Sequence, residues 1–292
     1  EELEEFGEAM PNVWTAEKQE APMNYGFSAN VGNRYMLWEN PAGFLFAITY
    51  DNSWQRYEKE KNIYVTGKEG ELALRHSYEF DTLTHHIVLG GIFDTSVEFS
   101  ENHRLQSTSL LIRTTEDMAR VYEGWNSDAG TDIRVTRLRW VEQMLASEQL
   151  SGNHVFPSLY DLRLDWSYTY SLAARYEPNR RETRYDYSEK SDTWYLSDRP
   201  EGNSRLYSDL EDNNHDVSFK LTMPFDVWSG FTAEAHVGAN IVRRERTVDT
   251  RRFKFQHHGP ASHNQDVLSQ PADDIFSPPY IGPEGFQFEE IT

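Results

Sequence analysis

The chain has 292 residues and a formal net charge of −20, from 48 acidic and 28 basic side chains. That balance argues against nucleic acid as a partner, because phosphate binding needs clustered lysine and arginine. The chain contains no cysteine, which excludes disulfides, thiolate metal sites and cysteine nucleophiles. Hydrophobic residues make up only 38% while aromatic residues reach 14%, which favours a thin apolar shell over a thick core.

Alternating apolar and polar residues predict a chain made mostly of long β-strands, with their turns, over residues 24–256. Residues 1–23 and the proline-rich residues 257–292 show no period and are predicted to be loops. A run of roughly 18 apolar residues is absent, so the sequence predicts no transmembrane helix. The eight predicted strands cover residues 25–31, 44–60, 71–99, 104–115, 132–150, 162–187, 206–225 and 231–256.

The clearest strand pattern is at residues 231–241, where apolar side chains take the odd positions and polar or small ones take the even positions. A helix cannot use a period of two, because its faces repeat every 3.6 residues. The pattern therefore predicts a strand with one apolar and one polar face. Strand 162–187 shows the same pattern, whereas strand 132–150 has apolar residues in both sets of positions and its faces stay unassigned.

Residues 71–99 contain a change of phase. Apolar residues stand at even positions up to Phe80 and at odd positions from Ile87 onwards. A shift of one residue moves every side chain to the other face of a strand. We therefore predict one long strand with a β-bulge near residues 84–86 that absorbs the shift.

The connections between the predicted strands alternate in length. Short turns on one side and long loops on the other are typical of an outer-membrane β-barrel. Strands of soluble sandwiches are usually about 3–10 residues long, so strand length also favours a barrel. We predict an antiparallel transmembrane β-barrel with short periplasmic turns and long extracellular loops. The short turns are 39–42, 100–103, 151–157 and 226–229; the long loops are 61–70, 116–131, 188–205, 1–23 and 257–292.

In such a barrel the apolar face of each strand contacts lipid and the polar face lines a wet interior. Strand 231–256 would then place Phe231, Ala235 and Ile241 against lipid, and Glu234, His236 and Asn240 inside. Aromatic residues of the apolar sets are candidates for the girdles at the two membrane interfaces. These candidates are Trp140, Trp166, Tyr168, Tyr170, Phe225 and Trp228.

Several segments resemble the middle of the barrel of a TonB-dependent outer-membrane receptor. The segments are weak singly and diagnostic together, and the resemblance extends over residues 24–292. They are EGWNSDAGTDIR at 123–134, TRLRWVE at 136–142, LSGNH at 150–154, EPNRRET at 177–183, SDLEDNN at 208–214 and RRFKF at 251–255.

The resemblance implies a barrel of about 22 strands, an N-terminal plug inside it, and energy from the TonB–ExbB–ExbD complex acting through that plug. The sequence shows neither plug nor TonB box before residue 24, and no C-terminal strand ending in an aromatic residue. We therefore expect the middle part of a larger barrel in the outer membrane of a Gram-negative bacterium. Closure of eight strands on themselves is less favoured, because that interior is filled by side chains.

Aromatic residues in the predicted long loops are the candidates for ligand contact, because exposed rings commonly bind siderophores or sugars. They could equally pack the loops together. The candidates are Tyr122, Trp125, Trp194, Tyr195, Phe276 and Tyr280.

Other combinations of polar residues do not predict a metal site, a cofactor or an enzyme. The histidine pairs 85–86 and 257–258 cannot chelate in a regular strand, because adjacent residues face opposite sides. Residues 208–216 are rich in oxygen ligands but lack the glycine and the order of an EF-hand loop. The sequence contains neither a nucleophile elbow nor a glycine-rich phosphate loop.

The predicted function is import of a scarce solute, such as a ferric siderophore or an oligosaccharide, by a TonB-dependent active transporter. This chain would supply barrel wall and ligand-capturing loops. The expected partners are outer-membrane lipid, the TonB–ExbB–ExbD complex and a small solute of unknown identity. Two alternatives stay open: a small structural or adhesive outer-membrane barrel without transport, and a soluble carbohydrate-binding β-sandwich.

Overall fold

The computed structural model describes residues 2–17, 20–67, 70–199, 202–228 and 230–291. Parts of the predicted loops and turns, at residues 1, 18–19, 68–69, 200–201, 229 and 292, lie outside these ranges. None of the described helices is both long and apolar enough to cross a membrane. The helices are α1 (Glu2–Ala9), α2 (Gln265–Leu268) and α3 (Ala272–Ile275). The strands are β1 (Tyr25–Leu37), β2 (Asn40–Thr66), β3 (Leu72–Ser100), β4 (His103–Asn126), β5 (Thr131–Phe156), β6 (Leu162–Ser188), β7 (Thr193–Leu196), β8 (Ser204–Asp226), β9 (Thr232–His257) and β10 (Phe286–Ile291).

All the described strands belong to one antiparallel sheet. Its order is β1-β2-β3-β4-β5-β6-β8-β9-β10, with β7 paired to β6. β1 and β10 are the two ends of this order, and no pairing joins them within the described ranges, so the sheet is open. The prediction of an all-β antiparallel fold with eight long strands is confirmed. The two additional strands, β7 and β10, are short, with 4 and 6 residues.

One face of the sheet is apolar near the short turns. Val31, Phe46 and Phe93 are register partners across β1, β2 and β3, so their side chains share a face. Phe46 and Phe93 are 42% and 43% exposed, so both rings remain accessible. We call this the apolar face and the opposite one the polar face. Further members of the apolar face are Phe27, Ile48, Leu89, Val97, Leu164, Leu172, Val217, Phe219, Leu221, Val237 and Ile241.

The apolar part of this face ends part of the way along each strand. On β9 it covers residues 233–241, after which Arg243, Glu245 and Asp249 follow on the same face. On β8 it covers residues 217–225. Both stretches are close to the roughly 9–11 residues that a tilted strand needs to cross a bilayer. The apolar face therefore consists of an apolar band next to the short turns and a charged zone beyond it.

The change of phase in β3 also results from the transition between the apolar band and the charged zone. β3 pairs without interruption through residues 84–86 with both β2 and β4, so the predicted bulge there is wrong. The odd positions are apolar within residues 87–99, inside the band, and become acidic at Glu79 and Asp81 in the charged zone. Phe80 belongs to the polar face. The alternation changes because the surroundings of each face change along the strand, while the backbone stays regular.

The apolar band is less regular on β4 and β5. Glu148 interrupts it on β5, where its carboxylate accepts hydrogen bonds from the hydroxyl groups of Ser107 and Ser109. The register also resolves the faces of β5, which the sequence left unassigned. It places Leu138, Trp140 and Met144 on the apolar face, and Val135, Val141 and Leu145 on the polar face.

Successive hairpins are staggered in one direction. The last pair between β2 and β3 is Ala42↔Val97, yet β3 continues to Ser100. In the same way β5 continues past its last pair with β4 at His154, and β8 continues past Thr222. Each hairpin thus extends a few residues beyond the preceding one at the short-turn end. A stagger that keeps one direction in this way produces shear, which a sheet needs in order to close into a barrel.

The two ends of the chain pack together on one region of the sheet. Residues 10–15 and 259–288 form what we call the terminal cap. Its Trp14 is 1% exposed, and the Trp14 ring centroid lies 4.8 Å from that of Phe276 and 5.7 Å from that of Phe255. Phe253 and Phe255 occupy odd positions of β9, so the terminal cap covers the apolar-face side beyond the charged zone. The prediction that residues 1–23 and 257–292 are loops is wrong for α1, α2, α3 and β10. These elements are short, and the buried aromatic residues of the two ends, such as Trp14, Phe276 and Phe286, converge in space without a regular spacing in sequence.

Several predicted loops and turns are strands in the structure. β2 continues to Thr66 and β4 to Asn126, inside the predicted loops 61–70 and 116–131. Pairing with neighbouring strands satisfies the polar backbone there although neither face is strongly apolar. The first hairpin turns at Trp38 and Glu39, with φ of 49° and 72°, instead of at 39–42. Two left-handed residues in a two-residue turn match the twist of the flanking strands.

Candidate functional site

Tyr122 lies in β4 on the polar face, where the sequence predicted a loop. Its ring stacks on Phe80, with centroids 4.8 Å apart, and meets the ring of Tyr78 edge-on at 5.3 Å. Burial raises the pKa of Tyr122 to about 12, and the nearby Glu182 carboxylate adds to the increase. The phenol therefore stays neutral throughout the physiological range. We call Tyr78, Phe80 and Tyr122 the aromatic group.

Trp125, Trp194 and Tyr195 are not part of the aromatic group. Trp125 stands at the end of β4, 39% exposed, on the face opposite Tyr122. Trp194 is in β7, and the guanidinium carbon of Arg134 lies 4.2 Å from its ring centroid. The hydroxyl of Tyr195 donates a hydrogen bond of 3.0 Å to Ser191 Oγ. All three are near the end of the sheet that lies away from the short turns.

Phe276 and Tyr280 belong to the terminal cap. Phe276 is 2% exposed and its ring stacks on Phe255 with centroids 4.6 Å apart, so almost none of its surface is available to a ligand. Tyr280 is partly buried against the same core. Phe276 therefore packs chain segments together, which was the alternative to ligand contact for the six aromatic residues. The structure thus distributes the six over three places and does not bring them into one site.

Basic residues gather next to the aromatic group on the polar face. Arg120 of β4 lies directly opposite Arg137 of β5, and Arg137 lies opposite Glu182 of β6. Tyr122 is two residues along β4 from Arg120 and shares its face. Leu206 of β8 lies opposite both Arg180 of β6 and Arg252 of β9, so these two arginines also share the polar face. Burial lowers the pKa of Arg180, and the positive charges of Arg137 and Arg252 lower it further. We define the arginine cluster as Arg120, Arg137, Arg139, Arg180 and Arg252.

Three carboxylates of the described ranges accompany the arginine cluster, and each one already has a partner. Arg120 forms no ion pair with any residue that the structure describes. One of its terminal nitrogens donates to Met118 Sδ at 3.5 Å, and its Nε is buried without a hydrogen-bond partner in the described part of the chain. The existing pairs are Arg137–Glu182, Arg139–Glu116 and Arg180–Glu177, and Glu177 also accepts a hydrogen bond of 2.5 Å from Arg175.

The polar segments that the sequence singled out for metals are used inside the chain. Asp212, in the middle of residues 208–216, is 5% exposed and accepts hydrogen bonds from Arg244 and Arg246. His85 stacks on Trp54 with ring centroids 3.9 Å apart. Within the described ranges, no group of three or more histidine, aspartate or glutamate side chains is arranged to hold a metal ion.

The aromatic group and the arginine cluster were not found from the sequence, apart from Tyr122. Their members come from β3, β4, β5, β6 and β9, and the register of those strands decides which residues meet. The local signal was the alternation of Arg137 and Arg139 in the segment TRLRWVE, which places two guanidinium groups on one face of β5. That signal could not show that Arg120 lies opposite Arg137.

No protein-family model matches the chain. No curated protein matches it at a significant level either. The comparisons therefore assign no family, and the function has to be argued from the geometry of the sheet and its two faces.

Proposed function

We propose that this chain forms part of the wall of an outer-membrane β-barrel in a Gram-negative bacterium, and that the whole protein imports a scarce solute. In this proposal the solute is a ferric siderophore, an oligosaccharide or a similar compound, and the energy comes from the TonB–ExbB–ExbD complex. The observation that carries the proposal is the apolar band. One face of the long strands is apolar for about a membrane thickness and charged beyond it.

The exposure of the apolar band supports lipid as its solvent. Rings such as Phe46, Phe93 and Phe219 are more than two-fifths exposed, and apolar surface in water costs about 25 cal/mol per Å². A continuous exposed apolar surface marks a membrane or protein contact. Residues of the charged zone, such as Arg243 and Glu245, then stand in water beyond the bilayer.

The stagger of the hairpins and the single sheet also support a barrel wall. A carbohydrate-binding sandwich needs two packed sheets, whereas every described strand belongs to one sheet. In lipid, the free edges of β1 and β10 would leave backbone N–H and C=O groups unsatisfied. In the proposed barrel these edges therefore pair with further strands.

Transport is favoured over a purely structural barrel by the content of the polar face. Stacked rings beside partly buried arginines form a surface that can contact a solute. A narrow structural barrel, whose interior is filled by side chains, would need neither the rings nor the arginines. The dependence on TonB rests on the resemblance of segments such as EGWNSDAGTDIR at 123–134. In this proposal the aromatic group contributes to solute contact.

Uptake measurements test the proposal. Cells with the gene, without the gene and without TonB are compared for uptake of labelled ferric siderophores and maltodextrins, after fractionation has located the protein. We expect the protein in the outer-membrane fraction, and uptake of at least one probe reduced to background by either deletion. Recovery in the aqueous fraction, or uptake of every probe unchanged by loss of the gene, would contradict the proposal.

A further inference from the structure

We propose that the arginine cluster is a binding site for an oxyanion that carries two or more negative charges, through carboxylate or phosphate groups. This inference deepens the proposed function. It rests on that function in one respect, namely that the polar face is the face that contacts the solute. It names the chemistry by which the solute is recognised.

The register of β4 and β5 gives the first argument. Arg120 and Arg137 lie directly opposite each other on the polar face, and like charges in directly opposite positions destabilise a sheet. Glu182, on the far side of Arg137, bonds to Arg137 and leaves Arg120 without a counter-charge among the described residues. A bound anion between the two guanidinium groups would remove this repulsion.

The charge balance gives the second argument. Among the described residues, the five arginines of the cluster face three carboxylates, and Glu177 is shared with Arg175 outside the cluster. Arg252 is exposed and, like Arg120, has no ion-pair partner in the part of the chain that the structure describes. The whole chain has a net charge of −20. A local excess of positive charge therefore stands out against an acidic protein.

The chemistry of the side chains selects the ligand class. Guanidinium groups present planar sets of N–H donors that fit carboxylate and phosphate oxygens in pairs. Arg120 is partly buried and its Nε has no hydrogen-bond partner among the residues that the structure describes. Burial strengthens an ionic contact because the effective dielectric constant is lower than in water. The adjacent aromatic group supplies apolar surface for the remainder of a larger solute.

Citrate binding tests this inference. Citrate is titrated into the purified whole protein, of which this chain forms part, in detergent micelles at constant ionic strength, and the heat of binding is measured. Arg120→Gln should weaken citrate binding about tenfold or more, because it removes a charge-assisted contact. Arg243→Gln is the matched control, since Arg243 lies in the charged zone of the other face and also lacks an ion pair among the described residues. Its citrate affinity should stay within about twofold of wild type.

Two further variants keep the test decisive. Arg120→Lys retains the charge and should recover part of the lost affinity, whereas a purely structural role would not separate Lys from Gln in this way. Should Arg120→Gln fail to fold, the exposed Arg252→Gln replaces it, with the same direction expected. Absence of citrate binding to wild type, or equal loss in Arg120→Gln and Arg243→Gln, would overturn the inference. Because the binding is measured in micelles, it is independent of where the protein resides or whether TonB drives uptake.

Discussion

Asp212 of β8 is an acidic side chain held between two arginines of β9. Its carboxylate accepts hydrogen bonds from Arg244 Nε at 2.7 Å and from Arg246 Nε at 2.8 Å, and the residue is 5% exposed. These arginines, the bond from Arg244 first, lower the pKa of Asp212 to about 2. Asp212 lies beyond residues 217–225, outside the apolar band. Arg120, in contrast, has no counter-charge among the described residues. We therefore distinguish paired charges, which stabilise the contact between strands, from unpaired charges, which can bind a ligand.

The low pKa of Asp212 predicts a pH-dependent contribution to stability. An aspartate in the unfolded chain has a pKa of about 3.9, so the folded state favours the carboxylate. The stabilisation is present above about pH 4 and is lost as the pH falls towards about 2. Asp212→Asn should lower the midpoint of thermal unfolding at pH 7 and have little effect at pH 2. The measurement is unfolding in micelles at both pH values.

The matched control for that prediction is Asp209→Asn. Asp209 is exposed on the other face of β8 and has no ion pair within the described ranges. We expect little change in its unfolding midpoint at either pH. An equal loss for Asp212→Asn at pH 7 and pH 2 would show that the two arginines do not stabilise the ionised carboxylate.

How well each strand could be predicted depends on whether its apolar residues keep to one face. β6, β8 and β9 keep one apolar set throughout the apolar band, and their strand positions and alternation were predicted. In β5 apolar residues belong to both sets, because Val141 is buried on the polar face while Trp140 lies on the apolar face. In β3 the face that is apolar changes along the strand. The sequence prediction assumed that each face of a strand has the same surroundings along its whole length. It therefore predicted a bulge, whereas the strand pairing is regular there.

The assignment of β9 predicts unequal tolerance to charge at two nearby positions. Ala235 lies in the apolar band, and Asn240 lies on the polar face. Ala235→Arg should disfavour membrane assembly by about 2–4 kcal/mol if the residue is near the middle of the bilayer. Asn240→Arg should assemble like wild type, because that side chain meets water. The yield of folded protein in the outer-membrane fraction measures both, and equal yields would refute the assignment of faces.

At the scale of the whole molecule, local periodicity predicted the class of fold but not the contacts between distant segments. The Trp14 backbone N–H donates a hydrogen bond of 2.7 Å to Asp273 Oδ1, and Thr15 bonds to the same carboxylate. These partners are 259 and 258 positions apart in the chain, and no spacing rule connects them. The arginine cluster was hidden for the same reason, since the strand register brings its members together. The six candidate ligand residues were chosen as loop residues, and Tyr122 proved to be in a strand and Phe276 in a core.

Spin labels on β9 test the division of one face into an apolar band and a charged zone. The chain contains no cysteine, so single cysteines can be introduced and labelled at 237, 241, 245 and 249 of β9, with 240 as the polar-face control. After reconstitution into liposomes, we expect labels at 237 and 241 to collide with oxygen and to be shielded from a water-soluble nickel chelate. Labels at 245, 249 and 240 should show the reverse. Equal accessibility at 241 and 245 would contradict the account.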